Sequence, residues 1–288
     1  MRIANLDGRL VLVETVDGAE LAVDVETLSD GRFSAVPHQV YQRWDEFRHW
    51  ADGAARHGGA PIDQSRLGAP SPAPRQVFAI GLNYAEHVQE SGSTMPADDP
   101  AVFTKFPSCI TGPYGEIALP PHGHTDWEVE LVAIIGRRAH HVSIEDALDH
   151  VAGYAIGQDI SERILQMATR PPQFSLGKSL PGFGPIGPWL VTLDEFIDPN
   201  DLELGCSLNG EPVQLARTSE LIFPVPALIA KLSEAVILLP GDVIFTGTPS
   251  GVGLGRTPQR WLRDGDVLTS HVEGIGELRH RFAVRRNA

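Results

Sequence analysis

Cysteine is scarce: Cys109 and Cys206 are the two in 288 residues, and they stand far apart. They make neither a disulfide framework nor a CxxC metal site, and both read as buried thiols of a reducing cytoplasm. Long apolar runs are missing too. No stretch approaches the roughly 18 residues a membrane helix needs, so no membrane partner is expected. The start, Met1-Arg2-Ile3-Ala4-Asn5-Leu6-Asp7, enters polar, turn-rich sequence at once and lacks signal-peptide form; a cytoplasmic location is expected. Positive charge is short as well, with 23 basic against 37 acidic residues and a net charge of −14. A nucleic-acid surface needs the opposite sign, so that class is excluded. An anionic substrate would instead need a metal and a few local cations to reverse the field inside its pocket. Lysine is rarer still, with Lys105, Lys178 and Lys231 the whole set, so a lysine inside a tight motif is poorly explained as surface filler. What is present, 42% hydrophobic residues, suffices for a full core and a small second domain.

The first stretch carries short apolar runs, Leu10-Val11-Leu12-Val13 and Leu21-Ala22-Val23, around Asp17-Gly18, a dipeptide that favours a tight hairpin. Val40, Trp44, Phe47 and Ala51 recur at helical spacing and predict an amphipathic helix. Residues 58 to 76 collect Gly, Ala and Pro, with Pro70, Pro72 and Pro74 alternating, the composition of a linker. The expected division is a small N-terminal α/β domain with its linker over 1–72 and a main domain over 73–288. Strands dominate the second part. Residues 77–80 form a short apolar run, and 202–208 with 213–216 flank Asn209-Gly210, another hairpin signal. Ser143 with Asp146 suggests a capped helix before His150, and Pro226 opens another over 227–236. The fold class expected is mixed α+β, β-rich, without regular βαβ alternation.

The segment Asp126-Trp127-Glu128-Val129-Glu130-Leu131-Val132-Ala133-Ile134-Ile135-Gly136 has the β-branching and apolar content of a strand. Alternation puts Trp127, Val129 and Leu131 on one face, and Glu128 and Glu130 on the other, about 7 Å apart along the strand. Two carboxylates so close on an apolar strand are costly without a counter-charge. A solvated sheet face accounts for them; so does a hard divalent cation, Mg²⁺ or Mn²⁺, which prefers carboxylate oxygen. In Gly153-Tyr154-Ala155-Ile156-Gly157-Gln158-Asp159-Ile160-Ser161 an apolar strand ends at Asp159, before a helix expected near Ser161. Asp159 is then either a third carboxylate for the metal or a helix cap. His87 and Glu90 lie three apart and can hydrogen-bond on one helix face. That makes them a carboxylate-oriented general base or an exposed helical pair. Thr246-Gly247-Thr248-Pro249-Ser250-Gly251-Val252-Gly253 would let backbone approach a ligand closely, or is a plain loop.

Two other motifs fail on inspection. Leu176-Gly177-Lys178-Ser179 resembles the end of a phosphate loop, but Pro172 stands where the first glycine belongs, and Pro181-Gly182 prevents the long helix that must come next. His122-Gly123-His124-Thr125-Asp126 matches the start of an HxHxDH zinc motif, but Trp127 replaces the closing histidine.

Taken in order, GLNYAEH, DWEVELVAIIG, GYAIGQD, LGKS, FGPIGPWLV and FTGTPSGVG resemble the fumarylacetoacetate hydrolase family from about residue 77 to the C-terminus. The resemblance implies a β-sandwich roll, usually dimeric, so a homodimer is expected. It implies Mg²⁺ or Mn²⁺ held by Glu128, Glu130 and Asp159, a catalytic Lys178, and a His87–Glu90 dyad on a lid that orders over bound substrate. Arg163, Gln166 and Thr248 fall on the family's substrate-side positions. The family commonly reads Ser-Ala-Arg-Asp after the metal aspartate, whereas this chain has Ser161-Glu162-Arg163-Ile164, a change beside the substrate contacts. The activity expected is metal-dependent hydrolysis of a carbon–carbon bond in a small anionic 1,3-dicarbonyl 2-oxo acid such as an acylpyruvate. Oxaloacetate decarboxylation or tautomerisation, and 2-oxo-enoate hydration or isomerisation, are the alternatives on the same site.

Overall fold

The computed structural model describes residues 1–55, 58–96 and 98–284. The largest sheet runs, edge to edge, through Ala60–Pro61, Ala19–Asp24, Arg9–Val16, Arg2–Leu6, Gly184–Val191, Val151–Gln158, Val129–Ile135, Val243–Phe245, Val77–Gly81 and Ala101–Thr104. A second sheet orders Glu211–Arg217, Glu203–Leu208, Val267–Val272, Gly276–Val284 and Tyr114–Leu119. The two sheets enclose one core, and this is the mixed, strand-rich architecture expected. No described helix is long and apolar enough to cross a membrane.

Strand Val129–Ile135 is buried at every position and explains how the layers are built. Its odd-numbered side chains, Val129, Leu131, Ala133 and Ile135, join Leu204, Leu268 and Phe282 between the two sheets. Its even-numbered Val132 and Ile134 join Trp44, Phe47 and Phe245 on the opposite side. A central strand covered on both faces reads as a continuous apolar run, so Glu130 in its even-numbered series, and Glu128 just before it, are conspicuous.

The N-terminal residues add to this sheet. Arg2–Leu6 pairs antiparallel with Gly184–Val191, and Trp44–Gly53 lays Trp44, Phe47 and Ala51 against the back of the central strands. The expected helix starts later than its pattern: Pro37–Arg43 is a 3-10 turn, and the α-helix begins at Trp44. The hairpins at Asp17-Gly18 and Asn209-Gly210 form as expected, with positive φ at all four residues, the signature of a type I′ turn. Ser143 does bond Asp146, accepting from its amide at 3.2 Å and donating to its carboxylate at 3.0 Å. The element after this cap is the 3-10 turn Ala147–His150 rather than an α-helix.

Candidate active site and metal centre

The site arises from strand register. Val129 pairs with Gln158 and Glu130 with Gly157, so Glu128, just before the first strand, meets Asp159, just after its antiparallel neighbour. The Asp159 amide donates to the Glu128 carbonyl at 2.9 Å. The predicted strand is thus interrupted: Thr125–Asp126 pairs separately with Ser161–Glu162, and the Glu128 amide turns to the Gln158 side chain at 2.9 Å. Even so, Glu128 and Glu130 keep a common side. With Asp159 they bring oxygens to within 4.8 Å of one another, all three residues buried.

Three cations pack against these acids. Lys178 Nζ lies 2.5 Å from Glu128 Oε2 and 2.7 Å from Asp159 Oδ2. Arg163 Nη2 donates to Glu128 Oε1 at 2.7 Å and to Asp126 Oδ2 at 2.7 Å, its Nε donates to Asp126 Oδ2 at 2.9 Å, and its Nη1 to Gln166 Oε1 at 2.9 Å. Lys105 Nζ donates to Asp159 Oδ1 at 2.5 Å, to the Phe183 carbonyl at 3.1 Å and to the Lys178 carbonyl. Glu130 receives one donor from the described residues, the Gly247 amide at 2.7 Å.

Burial works to raise the Glu128 carboxyl, but Lys178, Arg163 and His87 outweigh it and hold it at about 2. Burial, and then the charges of Asp159 and Glu128, push Glu130 well above the ordinary carboxyl range. Burial opposes the charge on Lys178, yet Asp159 and Glu128 raise it; the same contest, won by Asp126 and Glu128, raises Arg163. With every group ionised, Asp126, Glu128, Glu130 and Asp159 exceed Lys105, Arg163 and Lys178 by one negative charge, and the raised Glu130 carboxyl is where that excess is resisted until a cation binds. An all-oxygen donor set with uncompensated charge, sealed from water, suits a hard cation such as Mg²⁺ or Mn²⁺. The residues fit the ion.

His87 and Glu90 share the short helix Ala85–Glu90, with Nδ1 and Oε1 2.7 Å apart. A carboxylate there accepts a hydrogen bond from Nδ1–H and favours the tautomer whose Nε2 lone pair is free. The helix is docked on the glycine-rich loop: Gly251 N donates to Glu90 Oε2 at 3.0 Å and Ser250 Oγ to Glu86 Oε2 at 3.0 Å. Its entry is fixed by Asn83, which donates to the Thr246 and Phe223 carbonyls at 2.7 and 3.0 Å and accepts from Phe223 N at 2.8 Å. This holds the preceding Leu82 in the left-handed region at φ +58°, a conformation costly for leucine.

A cavity of about 110 Å³ takes its polar wall from His87, Glu128, Arg163, Gln166, Lys178 and Thr248. Glu90 adjoins it through His87, and Glu130 and Asp159 through Glu128. The structure therefore brings together every residue singled out from the sequence. Thr248 is already committed, its Oγ1 donating to the Val129 carbonyl at 2.9 Å and accepting from Gln214 Nε2 at 2.8 Å. Apolar lining comes from Ile80, Leu82, Phe103, Phe174 and Val252, with Lys178 Nζ 5.2 Å over the Phe103 ring. Within the span 168–174, Phe174 is the residue on the wall. Gly177 is required by packing, because a Cβ there would sit 2.6 Å from Gln166 N. The departure at 162 and 164 lies off the cavity. Glu162 accepts from His124 N at 3.0 Å, Thr125 Oγ1 at 3.0 Å and Ile164 N at 3.2 Å, capping the helix Arg163–Gln166, while Ile164 is exposed. Sequence reasoning missed Lys105 and Asp126; the rarity of lysine was the one available signal for the first.

The family described as fumarylacetoacetate (FAA) hydrolase C-terminal matches residues 76–283. The chain belongs to the fumarylacetoacetate hydrolase family. Among its relatives is a Homo sapiens protein named oxaloacetate tautomerase FAHD2A, mitochondrial, 43% identical over 211 residues, which are 73% of this chain and 67% of the human one. A crystal structure titled a putative HpcE protein from Mycobacterium smegmatis superposes with a TM-score of 0.93 at 53% identity, covering 99% of this chain and 100% of that one. The maleylpyruvate hydrolase of Sphingobium sp. SYK-6, in complex with manganese(II) and pyruvate, superposes at 0.77 with 27% identity, covering 99% and 100%. Members of this family with solved structures thus include both hydrolases and isomerases.

Proposed function

We propose that this protein is a divalent-metal-dependent enzyme that enolises a small 2-oxo acid, with the keto–enol tautomerisation of oxaloacetate as its principal reaction. The observation that carries the reading is one small cavity holding a carboxylate-tied histidine, His87, opposite two cations, Lys178 and Arg163. Its volume suits an acid of oxaloacetate size, and the name of the human relative supports the same reaction. Glu128, Glu130 and Asp159 would hold Mg²⁺ or Mn²⁺, which supplies Lewis acidity toward a 2-oxo carboxylate. Arg163 and Gln166 orient the carboxylate. His87 Nε2 takes a proton from C3, and Glu90 stabilises the imidazolium that forms. The electron pair left behind forms the C2–C3 double bond as the C2 carbonyl π pair moves onto oxygen, where Lys178 donates to the developing oxyanion. Return of the proton to that oxygen gives the enol, and the reverse sequence gives the ketone.

Hydrolysis of an acylpyruvate is a second reading, favoured by the same dyad. A histidine tied to a carboxylate suits the activation of water, and a manganese- and pyruvate-bound neighbour is named a hydrolase. We also read the chain as a homodimer, because Ile164, Leu165 and Met167 on the helix beside the cavity, with nearby Leu176, are exposed and a second copy would cover them. A cytoplasmic location suits two free, buried cysteines.

The deciding experiment tracks enol absorbance of oxaloacetate and of an acylpyruvate panel, with and without Mg²⁺ or Mn²⁺, alongside pyruvate release. Metal-dependent enol decay without pyruvate supports the tautomerase. Pyruvate from acylpyruvates moves the assignment to the hydrolase, and pyruvate from oxaloacetate moves it to a decarboxylase.

A further inference from the structure

We propose that Asp126 is a positioning residue: it fixes the plane of Arg163 and clamps that guanidinium to the loop on which the His87–Glu90 pair is docked. This inference rests on the reading of Arg163 as the residue that orients the substrate carboxylate.

Asp126 is fully buried, and donors converge on both its oxygens. Oδ2 accepts from Arg163 Nε at 2.9 Å and Nη2 at 2.7 Å, and from Leu254 N at 2.9 Å. Oδ1 accepts from Gly253 N at 2.6 Å and Trp127 N at 2.9 Å. The guanidinium is thus held along its Nε–Nη2 edge by Asp126, with Nη2 also donating to Glu128 and Nη1 to Gln166, so its remaining freedom is small. A carboxylate-binding arginine works as a rigid fork, and its selectivity depends on the orientation of that plane.

The same carboxylate reaches the other half of the site through backbone. Gly251 N is bonded to Glu90, and Gly253 N and Leu254 N to Asp126. Within this short loop Val252, Leu254 and Gly255 also line the cavity. Glu90 grips one end of the loop and Asp126 the other, so the base and the anion-orienting arginine are set against each other by a common backbone. Gly253 is required here, chiefly because a Cβ would collide with the Arg260 carbonyl oxygen, and it would also come within 2.7 Å of Asp126 Oδ1. Asp126 reaches the three metal-site acids only through Arg163, which donates to Glu128; Glu128 is also held by Lys178, so loss of Asp126 should leave the metal cluster in place. A carboxylate that merely neutralises a buried arginine would need none of the loop amides.

The test uses the Mn²⁺-loaded 288-residue chain as wild type, Asp126→Asn, Arg163→Lys and the double variant. It reads kcat and KM for oxaloacetate, oxalate affinity by calorimetry, and amide exchange over residues 251–255. Asp126→Asn should raise KM and the oxalate Kd by about tenfold or more, with a smaller fall in kcat and Mn²⁺ affinity changed by less than about threefold. Exchange at Gly253 and Leu254 should quicken. The double variant should be little worse than Arg163→Lys alone, because both changes remove the same interaction. Asp126→Glu, which keeps the charge but displaces it, should fall between and serves if Asp126→Asn does not fold. Unchanged oxalate affinity, or fully additive effects in the double variant, overturns the proposal. Oxalate binding needs no turnover, so it decides the role of Asp126 even if the proposed reaction is wrong.

Discussion

Lys105 and Asp159 form an ion pair sealed from water, Nζ 2.5 Å from Oδ1 with both side chains fully buried. The same ammonium is bonded to two backbone carbonyls, so it is fixed in place. Lys105 thereby anchors the carboxylate at the end of strand Val151–Gln158, from the side away from Lys178.

Removing one partner of a buried pair leaves the other charge exposed to a low dielectric. Lys105→Met should destabilise the metal-free protein by about 3–5 kcal/mol. Mn²⁺ should restore a larger share of stability in the variant than in the wild type, because it supplies the missing positive charge. Denaturant unfolding with and without Mn²⁺ reads both effects, and equal Mn²⁺ stabilisation in the two proteins would count against this role for Lys105.

Glu130 is the carboxylate with least compensation, so its substitution separates metal binding from folding. Glu130→Gln should bind Mn²⁺ more weakly by well over the roughly 10–100-fold typical of losing an outer-shell partner. Without metal, its melting temperature should hold or rise, since a repelled charge has been removed. Calorimetric titration against Mn²⁺ checks the first outcome and thermal unfolding the second.

His87→Gln should retain Mn²⁺ binding while kcat falls by about 10²–10⁴-fold, the usual contribution of a general base. Wild-type turnover in that variant would remove His87 from the chemistry.

His280 carries a pH dependence independent of the active site. It is buried and its Nε2 donates to the Gly112 carbonyl at 3.0 Å; burial lowers it from 6.5 to about 4. The unfolded chain takes up a proton as pH falls below 6.5 while the folded one does not, so stability is whole above that pH and declines toward pH 4. The full loss is about 3 kcal/mol. His280→Gln, which keeps a donor for Gly112, should flatten this segment of the stability curve, as measured by urea unfolding between pH 4 and 7.

Features written in neighbouring residues were legible in the sequence. Asp17-Gly18 and Asn209-Gly210 announce their hairpins because a type I′ turn needs positive φ at both positions. Asp7-Gly8 carries the same signal and the same dihedrals, and it too joins paired strands. Glu128 and Glu130 were placed together by the two-residue period of a strand, which survives the break before Val129. His87 and Glu90 were paired by helical spacing. Lys105 and Asp126 were not legible, because their partners are distant in the chain: Asp159 is 54 residues from Lys105 and Arg163 is 37 from Asp126. No local pattern marks such a meeting; it is decided by which strands become neighbours. The start of the helix near residue 40 was misplaced because apolar spacing does not distinguish a 3-10 turn from the first turn of an α-helix.

The pairing of Glu130 with Gly157 and of Val129 with Gln158 has a consequence for how the molecule assembles. A slip of one residue between these strands would send Asp159 to the opposite face and scatter the three carboxylates. Ion binding would therefore report on the pairing of these strands: molecules in the correct alignment should capture Mn²⁺ at full affinity and slipped ones should not. The stoichiometry of bound Mn²⁺ after refolding would count correctly threaded molecules directly, without any assay of turnover.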